Sequence, residues 1–441
     1  MIFVSCIFCV SCSIERRISK SAHRELLNDS TLSAAHTGIS IFDAGAGKYL
    51  YNYQGDKYFV PASNTKIFTC YAAMKYLGDS LPAMSYVEND TAIFIQPGGD
   101  PSFLHPDYKK QPVADFLRNS AKPVYITDAN WKDKALGSGW AWNDYSEYYM
   151  AERSALPVYG NVIRWVQEKT GESPNEATEF DQTVSIYSIP EVNWEVRFNP
   201  AINSKNFDVE RSKDENSFLI SQGSEKRGEI DVPFVTNGIQ SALELLSETF
   251  DKDIRLNNLF KIPDSGSNII FSQPTDSLLR PMMYRSDNFF AEQVLLMVSN
   301  KLLGEMNDAS IIDSLLKTDL SNLPQKPRWA DGSGLSRYNL FTPQSFVAIL
   351  EKMKGQIGMD RIKTVFPTGG TGTLGDYYRD EQGAIYAKTG TLSGVVALSG
   401  YLYTKKNKLL IFSVLVNNHR GNSIEIRRKV ESFLIGLRQK Y

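Results

Sequence analysis

The sequence predicts a mixed α/β (α+β) fold: one antiparallel sheet flanked by helices, a mostly helical lobe beside it, and a large mixed inserted region. Three observations lead there. Residues 37–54 alternate apolar and polar around a Gly-rich turn and read as a hairpin near the N-terminus. Strand candidates at 383–389, 394–402 and 409–416, followed by a helix at 423–438, close the chain. Between these ends the texture changes, and residues 84–275 carry short strand-like runs and many turns. Strands at both ends of a chain assemble most simply into one sheet, which makes the middle an insertion rather than a third bead.

Size and composition bound the rest. A chain of 441 residues is too long for one ordinary domain and suits two or three. With 42% hydrophobic and 22% charged residues the body is folded rather than disordered. The 48 basic and 50 acidic side chains leave a formal charge of −2, so no broad basic surface for nucleic acid is expected. Of the four cysteines, Cys6, Cys9 and Cys12 crowd the start and only Cys70 belongs to the body, which excludes a disulfide framework there.

The early cysteines sit in an uncharged apolar run, residues 1–14, with no second ligand cluster elsewhere, so no metal site is expected of them. The run is too short to span a bilayer and resembles the core of an export signal whose basic start is missing. Val10-Ser11 before Cys12 resembles a lipoprotein cleavage site, although Cys9 stands where Leu is usual. Residues 1–20 are therefore read as an export signal or lipoprotein leader. Cys12 is the candidate lipid anchor, and the location is the periplasm or cell envelope, with peripheral or lipid-anchored membrane association. No later stretch of about eighteen apolar residues follows. Residues 21–83 plus 276–441 form the principal domain around the insertion at 84–275.

Along the chain, Gly45-Ala46-Gly47-Lys48 lacks the Ser/Thr and the helix of a phosphate loop, so it is the hairpin turn. After Pro61-Ala62, residues Ile67, Cys70, Tyr71, Met74 and Leu77 recur at helical spacing until Gly78. Cys70 lies on that apolar face as core. Trp142 and Trp329 read as packing residues, and the polar patch from Asp208 to Arg227 as an exposed loop or hairpin. Residues 288–303 and 343–354 are amphipathic helices.

Three short segments carry chemistry. Ser63-Asn64-Thr65-Lys66 opens the first strong helix, and residues three apart share a helical face, so the Lys66 amine reaches the Ser63 hydroxyl. A serine hydroxyl becomes a nucleophile only when a neighbouring base takes its proton. Lys serves as that base when burial or a nearby cation keeps it neutral. Ser286-Asp287-Asn288 precedes the second strong helix; its hydroxyl can relay a proton and its amide can bind a peptide group, although all three types also favour helix caps. Lys388-Thr389-Gly390 ends a strand and Thr391 follows. There an ammonium and a hydroxyl can hold a carboxylate, and Gly390 leaves room for substrate backbone.

Each segment alone is a modest signal; in this order they are specific. The trio resembles the penicilloyl serine transferases, and further segments narrow the likeness. Residues 61–66 (PASNTK), 98–102 (GGDPS), 331–337 (DGSGLSR) and 369–374 (GGTGTL) are similar to the D-alanyl-D-alanine carboxypeptidase/endopeptidases of low-molecular-mass class C, in matching order from about residue 36 to 437. The long insertion between the first and second motifs also suits that class. The resemblance implies a serine β-lactamase/transpeptidase-like fold and an acyl-enzyme on Ser63. In it Lys66 is the base, Ser286 and Lys388 pass a proton to the departing D-Ala, and Lys388 and Thr389 hold the terminal carboxylate. Asn288, Gly390 and Asn161 line the substrate, and the backbone N–H groups of Ser63 and Thr391 form the oxyanion hole. It implies peptidoglycan stem peptides as substrates, β-lactam antibiotics as covalent inhibitors, and no metal or other cofactor.

One departure concerns specificity. Trp140 and Asn161 match a Gly-Trp element and a cleft Asn, yet Tyr159 stands two before that Asn, where several members carry an acidic residue for a side-chain amine; Asp144 or Glu147 can substitute. Other activities fit less well. A Ser-His-Asp hydrolase has no Gly-x-Ser-x-Gly elbow to use and only His23, His36, His105 and His419 to draw on. His419 follows the last strand as a surface residue. A class A β-lactamase is shorter and needs a separate Glu for which no element is present. A non-catalytic wall-binding module would have no reason to keep Ser63, Lys66, Ser286 and Lys388 together.

Overall fold

The computed structural model describes residues 5–170, 183–199, 205–263 and 266–441, with side chains described from residue 14 onward. The side chains of Cys6, Cys9 and Cys12 lie outside the described residues.

The central sheet takes two strands from the start of the chain, β1 (His36–Asp43) and β2 (Lys48–Tyr53), and three from its end, β3 (Ile385–Leu392), β4 (Val395–Tyr403) and β5 (Leu409–Asn417). Their order is β3-β4-β5-β1-β2, and every neighbouring pair is antiparallel. β4 and β5 are buried almost end to end, which is why they read as continuous apolar runs. One face carries α1 (Ser5–Ala22) and the C-terminal helix, here α5 (Ser423–Lys440), through Ile18, Ala22, Phe433 and Leu434. α1 runs unbroken across residue 20, and Ile18 and Ala22 are fully buried in this layer.

The other face carries the helical lobe of α2 (Lys66–Tyr76), α3 (Asn288–Leu303) and α4 (Pro343–Gln356). Every residue of α2 from Lys66 to Met74 is buried, so the helix threads the core instead of lying on it. Phe68 anchors it, its ring centroid 4.8 Å from Phe341, 5.6 Å from Phe346 and 5.7 Å from Trp329. Cys70 is buried there too, and burial pushes its thiol pKa far up.

The inserted region builds its own sheets. Strands Ser80–Glu88, Ile93–Pro97, Val124–Ile126, Ile254–Leu256 and Asn268–Pro274 form a mixed five-stranded sheet, which begins before residue 84. Val162–Thr170 runs between Thr183–Ile189 and Arg227–Pro233 in an antiparallel trio. In the patch from Asp208, Asp208–Arg211 and Ser217–Ser221 pair as a hairpin. Trp142, expected to pack, is instead 72% exposed, because it stands on a short turn with no core beneath it.

Two polar clamps join insertion to lobe. Gln293 of α3 donates to the carbonyls of Gly99 (2.9 Å) and Ser154 (3.0 Å) and accepts from the Ser154 N–H (3.2 Å). Arg153, 1% exposed, reaches Asp133 at 2.9 Å, Asp308 at 2.6 Å and Glu292 at 3.4 Å. Removing one member of a buried ionic cluster strands the others without compensation. Arg153→Ala is therefore expected to destabilise the fold by about 3–5 kcal/mol, read as a lower midpoint in denaturant unfolding; an unchanged midpoint would refute the coupling.

Candidate active site

The three motif segments converge at the junction of β3, the α2 N-terminus and the α3 N-terminus. Ser63 lies in a 3₁₀ turn, Ala62–Thr65, just ahead of α2 rather than in the helix itself. Ala62 holds a left-handed backbone (φ 47°), and its carbonyl accepts from Thr65 Oγ1 at 3.0 Å, so the turn is pinned although strained.

Lys66 is the centre of the arrangement. Its Nζ lies 3.1 Å from Ser63 Oγ and donates to Asn288 Oδ1 (2.7 Å) and the Ser333 carbonyl (2.8 Å). The side chain is fully buried, and burial pulls its pKa from 10.5 down to about 8, against the opposing pull of Asp331, Glu292 and Asp287. An amine so poised can accept the Ser63 proton near neutral pH.

Ser286 and Asn288 flank α3. Asp287 caps the helix by accepting from the Phe290 N–H at 3.0 Å, which leaves Asn288 as its first residue. Ser286 holds a left-handed backbone (φ 62°), and its Oγ accepts from Lys388 Nζ at 2.9 Å. Asn288 uses its amide inside the site: beyond its bond to Lys66, Nδ2 donates to the Tyr149 carbonyl at 3.0 Å.

Lys388, Thr389 and Gly390 lie inside β3 and not at its end, because pairing with β4 continues to Leu392. Lys388 is fully buried; burial, then the nearby Lys66 and Arg427 cations, hold its pKa well below the usual lysine value. A Cβ on Gly390 would lie 2.6 Å from the Pro61 carbonyl and 3.1 Å from the Ser63 nitrogen. The glycine therefore makes room for the nucleophile turn. Asn64, with its NH₂ towards the Lys388 carbonyl (2.6 Å) and its oxygen towards the Leu398 N–H (3.2 Å), ties the same turn to the sheet. Thr391, at the outer end of β3, accepts a hydrogen bond from Arg427 of α5.

Asn161 stands apart from this group. It is fully buried, and its amide is spent on the Glu152 carbonyl (2.7 Å) and the Val158 N–H (3.1 Å), so it shapes a loop and does not present a side chain to the serine. Its neighbours Tyr159 and Gly160 wall a cavity beside Ser286. His419, expected at the surface, is buried, and its Nδ1 pairs with the Gly421 carbonyl, not with Ser63. Among the described residues no group of three or more His, Cys, Asp or Glu is arranged to hold a metal ion.

Segment 331–337 supports the site from behind. The buried Asp331 carboxylate accepts from the N–H groups of Gly334 (2.8 Å) and Ser336 (2.6 Å), from Asn339 Nδ2 (2.7 Å) and from Trp140 Nε1 (3.0 Å). Gly334, at φ 85°, passes so close to the Ala62 carbonyl that a Cβ would lie 1.9 Å from it. Sequence reasoning missed Glu292, whose Oε1 accepts from the Ser333 N–H at 2.7 Å and so fixes the carbonyl that holds Lys66. A carboxylate beside Gln293 on a helix whose neighbouring positions are apolar was the available signal.

With this geometry established, comparison with known proteins gives a consistent result. Residues 20–437 match the model of the D-Ala-D-Ala carboxypeptidase 3 (S13) family. A D-alanyl-D-alanine carboxypeptidase of Actinomadura sp. (strain R39) is 26% identical over 90% of this chain and 80% of its own. The D-alanyl-D-alanine carboxypeptidase DacB of Haemophilus influenzae is 22% identical over 90% and 88%. The crystal structure of penicillin binding protein 4 (dacB) from H. influenzae superposes with a TM-score of 0.72 at 21% identity, covering 95% of this chain and 98% of that one. A predatory endopeptidase of Bdellovibrio bacteriovorus shares the fold at a TM-score of 0.51 and 14% identity, covering 91% and 93%. The chain belongs to the D-Ala-D-Ala carboxypeptidase 3 (S13) family.

Proposed function

We propose that this chain is a serine-type D-Ala-D-Ala carboxypeptidase and endopeptidase acting on peptidoglycan stem peptides through an acyl-enzyme on Ser63. One observation carries the reading: a buried lysine amine, its pKa drawn towards neutrality, lies 3.1 Å from a serine hydroxyl on a pinned turn. Lys66 takes the Ser63 proton as Oγ attacks the penultimate D-Ala carbonyl. The N–H groups of Ser63 and Thr391 stabilise the oxyanion. Ser286, bonded to Lys388, passes a proton to the departing amine. Lys388 and Thr389 hold the terminal carboxylate, and water then hydrolyses the ester. β-Lactams enter the same step as covalent inhibitors and stop at the ester.

Relatives named as D-alanyl-D-alanine carboxypeptidases support a place in the bacterial envelope. No helix among the described residues is long and apolar enough to cross a membrane. An export leader with lipid attachment at Cys12 fits that placement, and the region from the strand Ser80–Glu88 to the strand Asn268–Pro274 is the insertion into the catalytic unit.

Brief incubation with benzylpenicillin, followed by intact mass and peptide mapping, is expected to give a stoichiometric adduct on Ser63. Ser63→Ala should give none, and Lys66→Ala should slow adduct formation on the order of a thousandfold. An adduct at the native rate in Lys66→Ala would remove Lys66 from the role of base.

The pH dependence follows from the sign of the Lys66 shift. Since the working form is the neutral amine, its population falls roughly tenfold for each pH unit below its pKa. kcat/KM for D-Ala release should therefore climb with pH and level off at about 8. A profile flat through the acid range would contradict the assignment.

A further inference from the structure

The cations of α5 are of two kinds. Arg428, Lys429 and Arg438 each meet a carboxylate, of Glu431, Asp29 and Glu381 respectively. Arg427 forms no ion pair among the described residues; its guanidinium donates instead to the Thr391 hydroxyl, at the outer end of β3. It is half-buried, and its Cζ lies 5.9 Å from the centroid of the Tyr377 ring. Withdrawing a cation from water without a counter-charge is unfavourable. A site that receives an anion gives a reason to keep one there.

β3 puts this cation next to the chemistry. Side chains alternate along a strand, so Lys388 and Gly390 face Ser286 and the Ser63 turn, while Thr389 and Thr391 face α5. Thr389 and Arg427 line one apolar cavity behind the strand, with Leu398 and Val430. At about 20 Å³ it has room for a single water, so it is not itself a site. It does show that the two threonines and the guanidinium form one cluster. A guanidinium only donates, so the Thr391 oxygen accepts from Arg427 and its own O–H is left to donate elsewhere. The cluster therefore offers donors and permanent positive charge, which suit a carboxylate. Lys388 is assigned to the same carboxylate, but its Nζ is shared with Ser286 Oγ and the Thr389 carbonyl, each at 2.9 Å. Burial, then Lys66 and Arg427, also hold its pKa well down, whereas a guanidinium stays charged at every working pH.

We propose that Arg427 is a specificity-determining residue, through which the enzyme requires a free carboxylate on its substrate: it turns the Thr391 hydroxyl towards that carboxylate and supplies lasting positive charge beside it. The proposal rests on the D-Ala peptidase reading. Arg427 takes no part in moving protons and acts on the substrate through Thr391 and through its charge. Both contributions are present before and during acyl transfer, so their loss belongs in KM and leaves kcat in place.

The test compares two substrates on the full chain: a stem pentapeptide ending in D-Ala-D-Ala and the same peptide with its terminal carboxylate converted to an amide. Release of the last residue is followed by chromatography. The native enzyme is expected to favour the acid by about tenfold or more in kcat/KM, the scale of a hydrogen bond to a charged group. Arg427→Ala keeps a good helix former in α5. It is expected to raise KM for the acid about tenfold with kcat little changed, and to leave the amide within about twofold. Arg427→Lys restores the charge and should recover most of that loss. A loss in Arg427→Ala that is equal for acid and amide would reduce Arg427 to a structural part and overturn the proposal. An unchanged KM for the acid, a lysine variant no better than alanine, or a native enzyme indifferent to the amide would overturn it as well. A native enzyme that cuts neither peptide and takes no benzylpenicillin adduct on Ser63 would instead overturn the peptidase reading beneath it.

Discussion

The buried amine of Lys66 is the constraint on which the rest of the site depends. A charged group taken out of water is costly unless its neighbours compensate. Here the contact partners are a hydroxyl, an amide oxygen and a backbone carbonyl, with no carboxylate among them. That choice matters electrostatically. A carboxylate in contact would favour the ammonium and raise the pKa, whereas neutral acceptors serve the neutral amine almost as well. Asp331 and Glu292 are close enough to be felt, yet their oxygens are engaged elsewhere: Asp331 by N–H groups of the supporting loop and of Trp140, Glu292 by the Ser333 N–H and by Arg153. The two acids surround the Lys66 amine without offsetting the effect of its burial.

Three distant segments must therefore meet at one nitrogen: the turn at Ser63, the start of α3 at Asn288, and the loop at Ser333. Nothing local to any of them guarantees the meeting. It follows from packing, since α2 is buried along nearly its whole length and α3 lies against it. The Arg153 cluster extends the same logic outward, because Glu292 touches both the catalytic loop and the insertion's arginine. A disturbance in the insertion thus has a short route to Lys66. The insertion is a wall of the site as well as an addition to the fold.

Much of this was legible in the sequence, for identifiable reasons. Period-two alternation gave the hairpin, largely apolar runs gave the C-terminal strands, and helical periodicity gave α3, α4 and α5 within a residue or two. Ser63, Lys66, Ser286, Asn288 and Lys388 could be singled out because residue type and short spacing go together in such motifs, and the fold brings these side chains into contact. Long-range geometry was less readable. Gly390 was assigned to substrate clearance, while the structure gives that space to the Pro61 carbonyl, a contact between residues far apart in the chain. Asn161 resembled a cleft residue by its neighbours, yet its amide turned inward to satisfy backbone groups that burial would otherwise orphan. Trp142 shows the converse: an aromatic side chain predicts burial only where something lies beneath it.

The position of β3 explains why the site is where it is. An edge strand presents unpaired N–H and C=O groups and is a liability unless covered or used. In this sheet β4 takes one side of β3, residues 367–368 pair with the start of the other through Tyr386 and Ala387, and the Ser63 turn packs on the face, with Gly390 allowing the close approach. What stays open is the stretch beside Thr391, and an extended peptide can add to such an edge as one more strand. The backbone of β3 then supplies direction while Lys388, held beneath it with Ser286, supplies charge. The Ser63 turn and the open edge thus belong to one strand, so the hydrogen-bonding pattern that builds the sheet also fixes where that edge lies relative to Ser63.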